Sequence, residues 1–152
     1  MATKIINLAN LNGSNGFRMD GTREEAQAGR SVSNAGDVNG DGYADVIVSS
    51  DASYIVFGKA AGFDATLNLS SIDGSNGFRL DGPTGDLSGR PVSNAGDING
   101  DGFNDLVIGS NKNGSFVVFG KASGFDAVLD LSGLDGNNGF FLDGAATDDT
   151  IG

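Results

Sequence analysis

Short apolar runs alternate with polar, glycine-rich breaks along the whole chain: "DVIVSS" (45–50), "SYIVFG" (53–58), "DLVIGS" (105–110) and "SFVVFG" (115–120). Each run is rich in β-branched and aromatic residues and is bounded by Gly, Asn, Asp or Ser, the pattern of a strand between turns. No segment keeps apolar residues at helical spacing for three turns, and no apolar run approaches the ~20 residues needed to cross a bilayer as a helix. The pattern predicts an all-β protein.

The breaks repeat as faithfully as the runs. "GSNGFRMDG" at 13–21 returns as "GSNGFRLDG" at 74–82 and as "GNNGFFLDG" at 136–144. "SNAGDVNGDGYADVIV" at 33–48 returns as "SNAGDINGDGFNDLVI" at 93–108, and "VFGKAAGFDATLNLS" at 56–70 returns as "VFGKASGFDAVLDLS" at 118–132, so the period is about 61 residues. Within the second unit four strands are predicted, roughly 89–96, 105–110, 115–121 and 139–144. A repeated four-stranded antiparallel unit of this length is the sequence form of a β-propeller blade, a solenoid repeat usually being shorter. The organisation expected is a fourth strand and connection of a preceding blade over 1–28, one blade with its connection over 29–88, and a second blade with the start of a further repeat over 89–152. Propellers close with about 4 to 8 blades. Two blades therefore imply either a segment of a longer array or several copies completing a ring.

The stretch "GFDATLNLSSIDGSNG" (62–77), between the third and fourth strands, is expected to form a hairpin over the outer edge of its own blade with Leu67, Leu69 and Ile72 turned inward. Phe57, Phe63, Phe119 and Phe125 are expected to be core residues.

Charge changes the picture next. The formal net charge is −11, with only nine Lys and Arg, which excludes the basic surface that nucleic-acid binding needs. Cysteine and histidine are both absent, so thiolate and imidazole metal sites and His-based acid/base catalysis are excluded. The N-terminal "MATKIINLANLNG" shows no apolar core of a secretory signal.

The acid is concentrated in two loops, "DVNGDGYAD" and "DINGDGFND". Oxygen-bearing side chains fall at loop positions 1, 3, 5 and 9, which are Asp37, Asn39, Asp41 and Asp45 in the first loop and Asp97, Asn99, Asp101 and Asp105 in the second. Gly42 and Gly102 stand at position 6, where a loop wrapping a cation turns sharply, and Tyr43 and Phe103 at position 7 offer backbone carbonyls. Crowded carboxylates repel unless a cation sits among them, and calcium takes six to eight such oxygens at about 2.3–2.6 Å. An EF-hand would need an acid at position 12 and a helix beyond, where this chain has Val48 or Ile108 inside an apolar run. Two calcium ions per chain, bound independently, are expected. The plain alternative is a turn rich in Asp, Asn and Gly with no ion.

At these residues the chain resembles the FG-GAP repeats, the blades of the integrin α-subunit propeller that also occur in bacterial surface and secreted proteins. The resemblance rests on "GDVNGDGYADVIV", "GDINGDGFNDLVIG" and the "VFG" at 56–58 and 118–120. It implies a loop between the first and second strands of each blade, binding calcium through the ten residues named above. Where the family often has Gly-Ala-Pro after the second strand, this chain has "SSD" and "GSN". The function implied is a non-enzymatic, calcium-binding segment of an extracellular or cell-surface adhesion or interaction protein, with a protein or carbohydrate ligand. The alternative is a scaffold within a secreted hydrolase whose catalytic part lies outside this chain. No Gly-x-Ser-x-Gly motif is present, and Glu24, Glu25, Asp86, Asp148 and Asp149 fall in connections where solvation is expected.

Overall fold

The computed structural model describes residues 7–83, 90–110 and 114–144. Among them the only helical elements are 3-10 turns at Leu8–Asn10, Leu69–Ser71 and Leu131–Gly133. Everything else that is regular is strand, as the apolar runs predict.

The first unit forms β2 (Val32–Gly36), β3 (Asp45–Ser49), β4 (Ser53–Val56) and β6 (Gly77–Asp81), an antiparallel sheet in chain order. The second unit repeats it with β7 (Val92–Gly96), β8 (Asp105–Gly109), β9 (Gly114–Val118) and β11 (Gly139–Asp143). The first strand of each unit bulges at the same place. Asn34 faces Val46 and Gly36 faces Asp45, so Ala35 is the extra residue, fully buried; Asn94 and Gly96 do the same opposite Leu106 and Asp105. A bulge here bends the chain out of the ladder and into the acidic loop.

Alternation along the strands gives each blade two apolar faces. Ile47, Ile55, Phe78 and Leu80 of the first blade join Leu106, Ile108, Phe116 and Val118 of the second in one buried cluster. A fully buried side chain of this kind contributes about 1.5–3 kcal/mol relative to the exposed state, so this face is what holds the two blades together. On its other face the first blade packs Val48, Tyr54, Val56 and Leu69 against Met19, Ala28, Phe63 and Leu67. Blades stacked face to face, with one further fourth strand before them, are the architecture of a β-propeller segment.

Two short strands depart from expectation. The 62–77 stretch is not a hairpin over its own blade: β5 (Thr66–Asn68) pairs in parallel with β1 (Arg18–Asp20), the fourth strand of the preceding unit. Likewise β10 (Val128–Asp130) pairs in parallel with β6, so the first blade has a fifth strand supplied by the second unit. The inward turn of the leucines survives this change, with Leu69 and Leu131 buried. Asn68 and Asp130 end these strands, each accepting from the backbone N–H two residues on and so capping the 3-10 turn that follows. Asp86, Asp148 and Asp149 lie outside the described residues, whereas Glu24 and Glu25 are exposed.

Candidate metal centres

Each acidic loop begins at the bulge and ends at the second strand of its blade. Gly42 (φ +88°) and Gly102 (φ +94°) adopt the left-handed conformation the turn requires. Around them the side-chain oxygens tie the loop to itself. Asp37 accepts from the N–H of Asp41 at 3.0 Å and from Gly42 at 2.9 Å, Asn39 accepts from Asp41 at 3.1 Å, and Asp41 accepts from Tyr43 at 2.8 Å. Asp97, Asn99 and Asp101 repeat the arrangement with the N–H groups of Asp101, Gly102 and Phe103 at 2.9–3.0 Å. The Asn39 and Asn99 amides donate to Asp41 and Asp101 at 3.0 and 2.8 Å.

The ninth-position aspartates are set differently. Asp45 is buried and bridges two segments, accepting from Val38 N–H at 2.8 Å and from Gly58 N–H at 2.8 Å. Asp105 does the same with Ile98 at 2.9 Å and Gly120 at 2.9 Å. Burial, opposed by those two backbone hydrogen bonds and reinforced by the charges of Asp41 and Asp37, raises the Asp45 carboxyl from 3.8 to about 6. Asp45 thus fastens the loop to the segment after the third strand, a role that its spacing did not reveal.

The donor set is oxygen only, which suits a hard cation such as calcium. Each hydrogen bond engages one lone pair of a carboxylate oxygen and leaves another for a cation. Yet no group of three or more acidic side chains is arranged to hold a metal ion among the described residues. The loop backbone instead holds these side chains through its own N–H groups.

The loops also touch each other. Asp37 N–H donates to the Asn104 side-chain carbonyl at 2.8 Å, Asn104 N–H donates to the Asp37 carbonyl at 3.1 Å, and Lys121 N–H donates to the Val38 carbonyl at 3.0 Å. Gly36 (φ +77°) lies so close to Asn104 that a Cβ there would strike its side chain, and a Cβ at Gly40 would strike the Phe103 ring. The first loop is thus covered by the second, and Val38 is 0 % exposed whereas its counterpart Ile98 is 51 % exposed. Independence of the two loops, expected from the repeat, does not describe this geometry. Asn104 carries no signal in the sequence, because its counterpart in the first unit is Ala44.

Four-stranded blades, a bulge, and a glycine-bearing acidic loop before the second strand define the class: a β-propeller segment of repeated blades. The FG-GAP repeat family model matches residues 28–63 and 92–119, and these two segments, each carrying the first three strands and the acidic loop of a blade, are FG-GAP repeats. No curated protein and no solved structure matches the chain. No helix among the described residues is long and apolar enough to cross a membrane.

Proposed function

We propose that the chain is a calcium-stabilised β-propeller segment of an extracellular or cell-surface adhesion or interaction protein, with a structural and binding role and no catalysis of its own. The observation that carries the reading is the repeated loop: the same Asp, Asn, Asp and Asp positions, drawn together by the same backbone hydrogen bonds, in both blades. Such loops bind calcium at about 10⁻⁴–10⁻³ M in extracellular modules, which matches a calcium-rich compartment. Calcium neutralises the crowded carboxylates and fastens the loop that sits between neighbouring blades. The blades then present a rigid surface to a protein or carbohydrate ligand.

Isothermal titration of the chelator-stripped chain with calcium tests this. Uptake of two ions is expected, with Asp41→Ala and Asp101→Ala each weakening one site at least tenfold, about 1.4 kcal/mol. No saturable uptake at millimolar calcium would overturn it.

A further inference from the structure

Both acidic loops carry an Asn-Gly step at positions 3 and 4, Asn39–Gly40 and Asn99–Gly100. With no side chain on the glycine, its backbone nitrogen can approach the side-chain carbonyl carbon of the asparagine before it. Attack there closes a five-membered succinimide and expels ammonia, so the groups around these atoms set how fast the step reacts. The residues flanking the two steps differ only in Val38 against Ile98, which makes their intrinsic reactivity the same. Their surroundings are not the same.

In the second loop every reacting group has a partner. The Gly100 N–H, which must lose its proton, donates to Asp97 Oδ1 at 2.7 Å. The Asn99 side-chain oxygen, on which charge develops, accepts from the Asp101 N–H at 3.0 Å. The departing amide nitrogen of Asn99 donates to Asp101 Oδ2 at 2.8 Å. A base within hydrogen-bond reach of the proton it takes, and a donor about 2.7–3.1 Å from the developing oxyanion, are what base-assisted acyl transfer requires. In the first loop the last two contacts recur at 3.1 and 3.0 Å. The first does not: Asp37 accepts from Asp41 and Gly42 and makes no bond to the Gly40 N–H. Among the described residues, the Asn-Gly steps at Asn12, Asn15, Asn76 and Asn138 likewise place no carboxylate on the glycine N–H; that of Gly13 donates to the Gly16 carbonyl at 2.9 Å. Gly40 and Gly100 are both exposed, so water reaches either step.

We propose that Asn99 is a self-modification site, at which the Gly100 nitrogen attacks Asn99 Cγ with Asp97 as the base and the loop converts itself to an aspartyl or isoaspartyl form. The N–Cγ bond forms as the Gly100 proton passes to Asp97. The Cγ–Nδ2 bond then breaks, and the nitrogen leaves as ammonia with that proton. Water opens the ring at Cγ to give aspartate, or at the main-chain carbonyl of residue 99 to give isoaspartate, whose main chain is one methylene longer. The balance is one water in and one ammonia out, with no oxidation or reduction. Either product adds a carboxylate at position 3 of the second loop, beside Asp97 and Asp101. The reaction uses the loop's own hydrogen bonds and needs no ion. On the calcium reading, an ion held by Asp97 and Asn99 would occupy both groups and slow it.

The full chain is incubated at neutral pH in chelator and in millimolar calcium, and peptide mapping by mass spectrometry follows amide-to-acid conversion at each Asn-Gly step, with a urea-unfolded sample as reference. In the folded chain in chelator, Asn99 is expected to convert at least tenfold faster than Asn39. In urea, where Asp97 no longer faces Gly100, the two rates should be equal. Asp97→Asn should remove the difference in the folded chain, since it keeps an acceptor oxygen at the position but not a base. The wild-type ratio stands whether or not that variant folds. Conversion of Asn39 as fast as Asn99 in the folded chain would overturn the proposal, and so would an unchanged Asn99 rate in folded Asp97→Asn. A tenfold ratio that calcium leaves undiminished would uphold the proposal and count against the calcium reading of the second loop alone.

Discussion

Asn104 and Asp37 hold each other across the junction of the two blades, the Asp37 N–H to the Asn104 side-chain carbonyl at 2.8 Å and the Asn104 N–H to the Asp37 carbonyl at 3.1 Å. Asp37 opens the first acidic loop, so one candidate site is positioned in part by a residue of the other. Asn104→Ala removes one of the two bonds and leaves every ligand position intact. Losing a half-buried hydrogen bond costs about 1 kcal/mol. Calcium affinity at the first loop is therefore expected to fall about three- to tenfold while the second loop is unchanged. The chain tolerates alanine at this loop position already, at Ala44. Calorimetric titration of the variant, with Asp101→Ala or Asp41→Ala added to isolate each site, distinguishes this from equal weakening of both.

Asp45 supplies a pH dependence whose sign is fixed. Its carboxyl titrates at about 6 in the folded chain against an ordinary 3.8. Between those values the folded chain keeps a proton that the unfolded chain has lost. The stability contributed by this group is therefore complete below about 4 and lost as pH rises through about 6. In chelator, wild type should lose stability relative to Asp45→Asn as pH rises from about 4 to 7, read from denaturant midpoints of the two proteins. In calcium the trend should vanish or reverse, because the ion favours the ionised carboxylate. A gap between the proteins that ignores pH in chelator would refute the assignment.

Phe125 of the second unit packs against Phe57 and makes equivalent phenylalanines unequal. Phe57 is 7 % exposed, with Phe78 and Phe125 both against it, whereas Phe119 has Phe140 as its ring neighbour and is half-buried. Phe→Ala in a core costs about 3–5 kcal/mol, less where the cavity opens to water. Phe57→Ala should therefore destabilise the chain by about 1–2 kcal/mol more than Phe119→Ala. Equal losses in chemical denaturation would contradict this.

The strands of the two blades were legible because their apolar runs are bounded by glycine and polar residues, and predicted 105–110 became Asp105–Gly109. The crossing strands were not legible. Thr66–Asn68 and Val128–Asp130 are three residues long, and each pairs with a strand of the previous unit, a partnership that no local periodicity encodes. That oxygen-bearing side chains stand at positions 1, 3, 5 and 9 around a glycine could be read from spacing alone. What spacing could not give was which oxygens the backbone already uses, and so the buried bridges made by Asp45 and Asp105 are visible only in the fold. The Asn104 link was hidden for another reason: it exists between units, and the repeat does not repeat it.

The central claim is that the acidic loops are structural calcium sites, and thermal unfolding in chelator and then in about 10 mM calcium tests it most directly. An ion binding the folded chain at 100 times its dissociation constant adds about 2.7 kcal/mol per site. A rise in melting temperature of several degrees is expected, smaller in Asp41→Ala or Asp101→Ala and smallest in the double variant. A melting temperature that is the same in calcium and in chelator would contradict the account and leave the loops as turns held by their own hydrogen bonds.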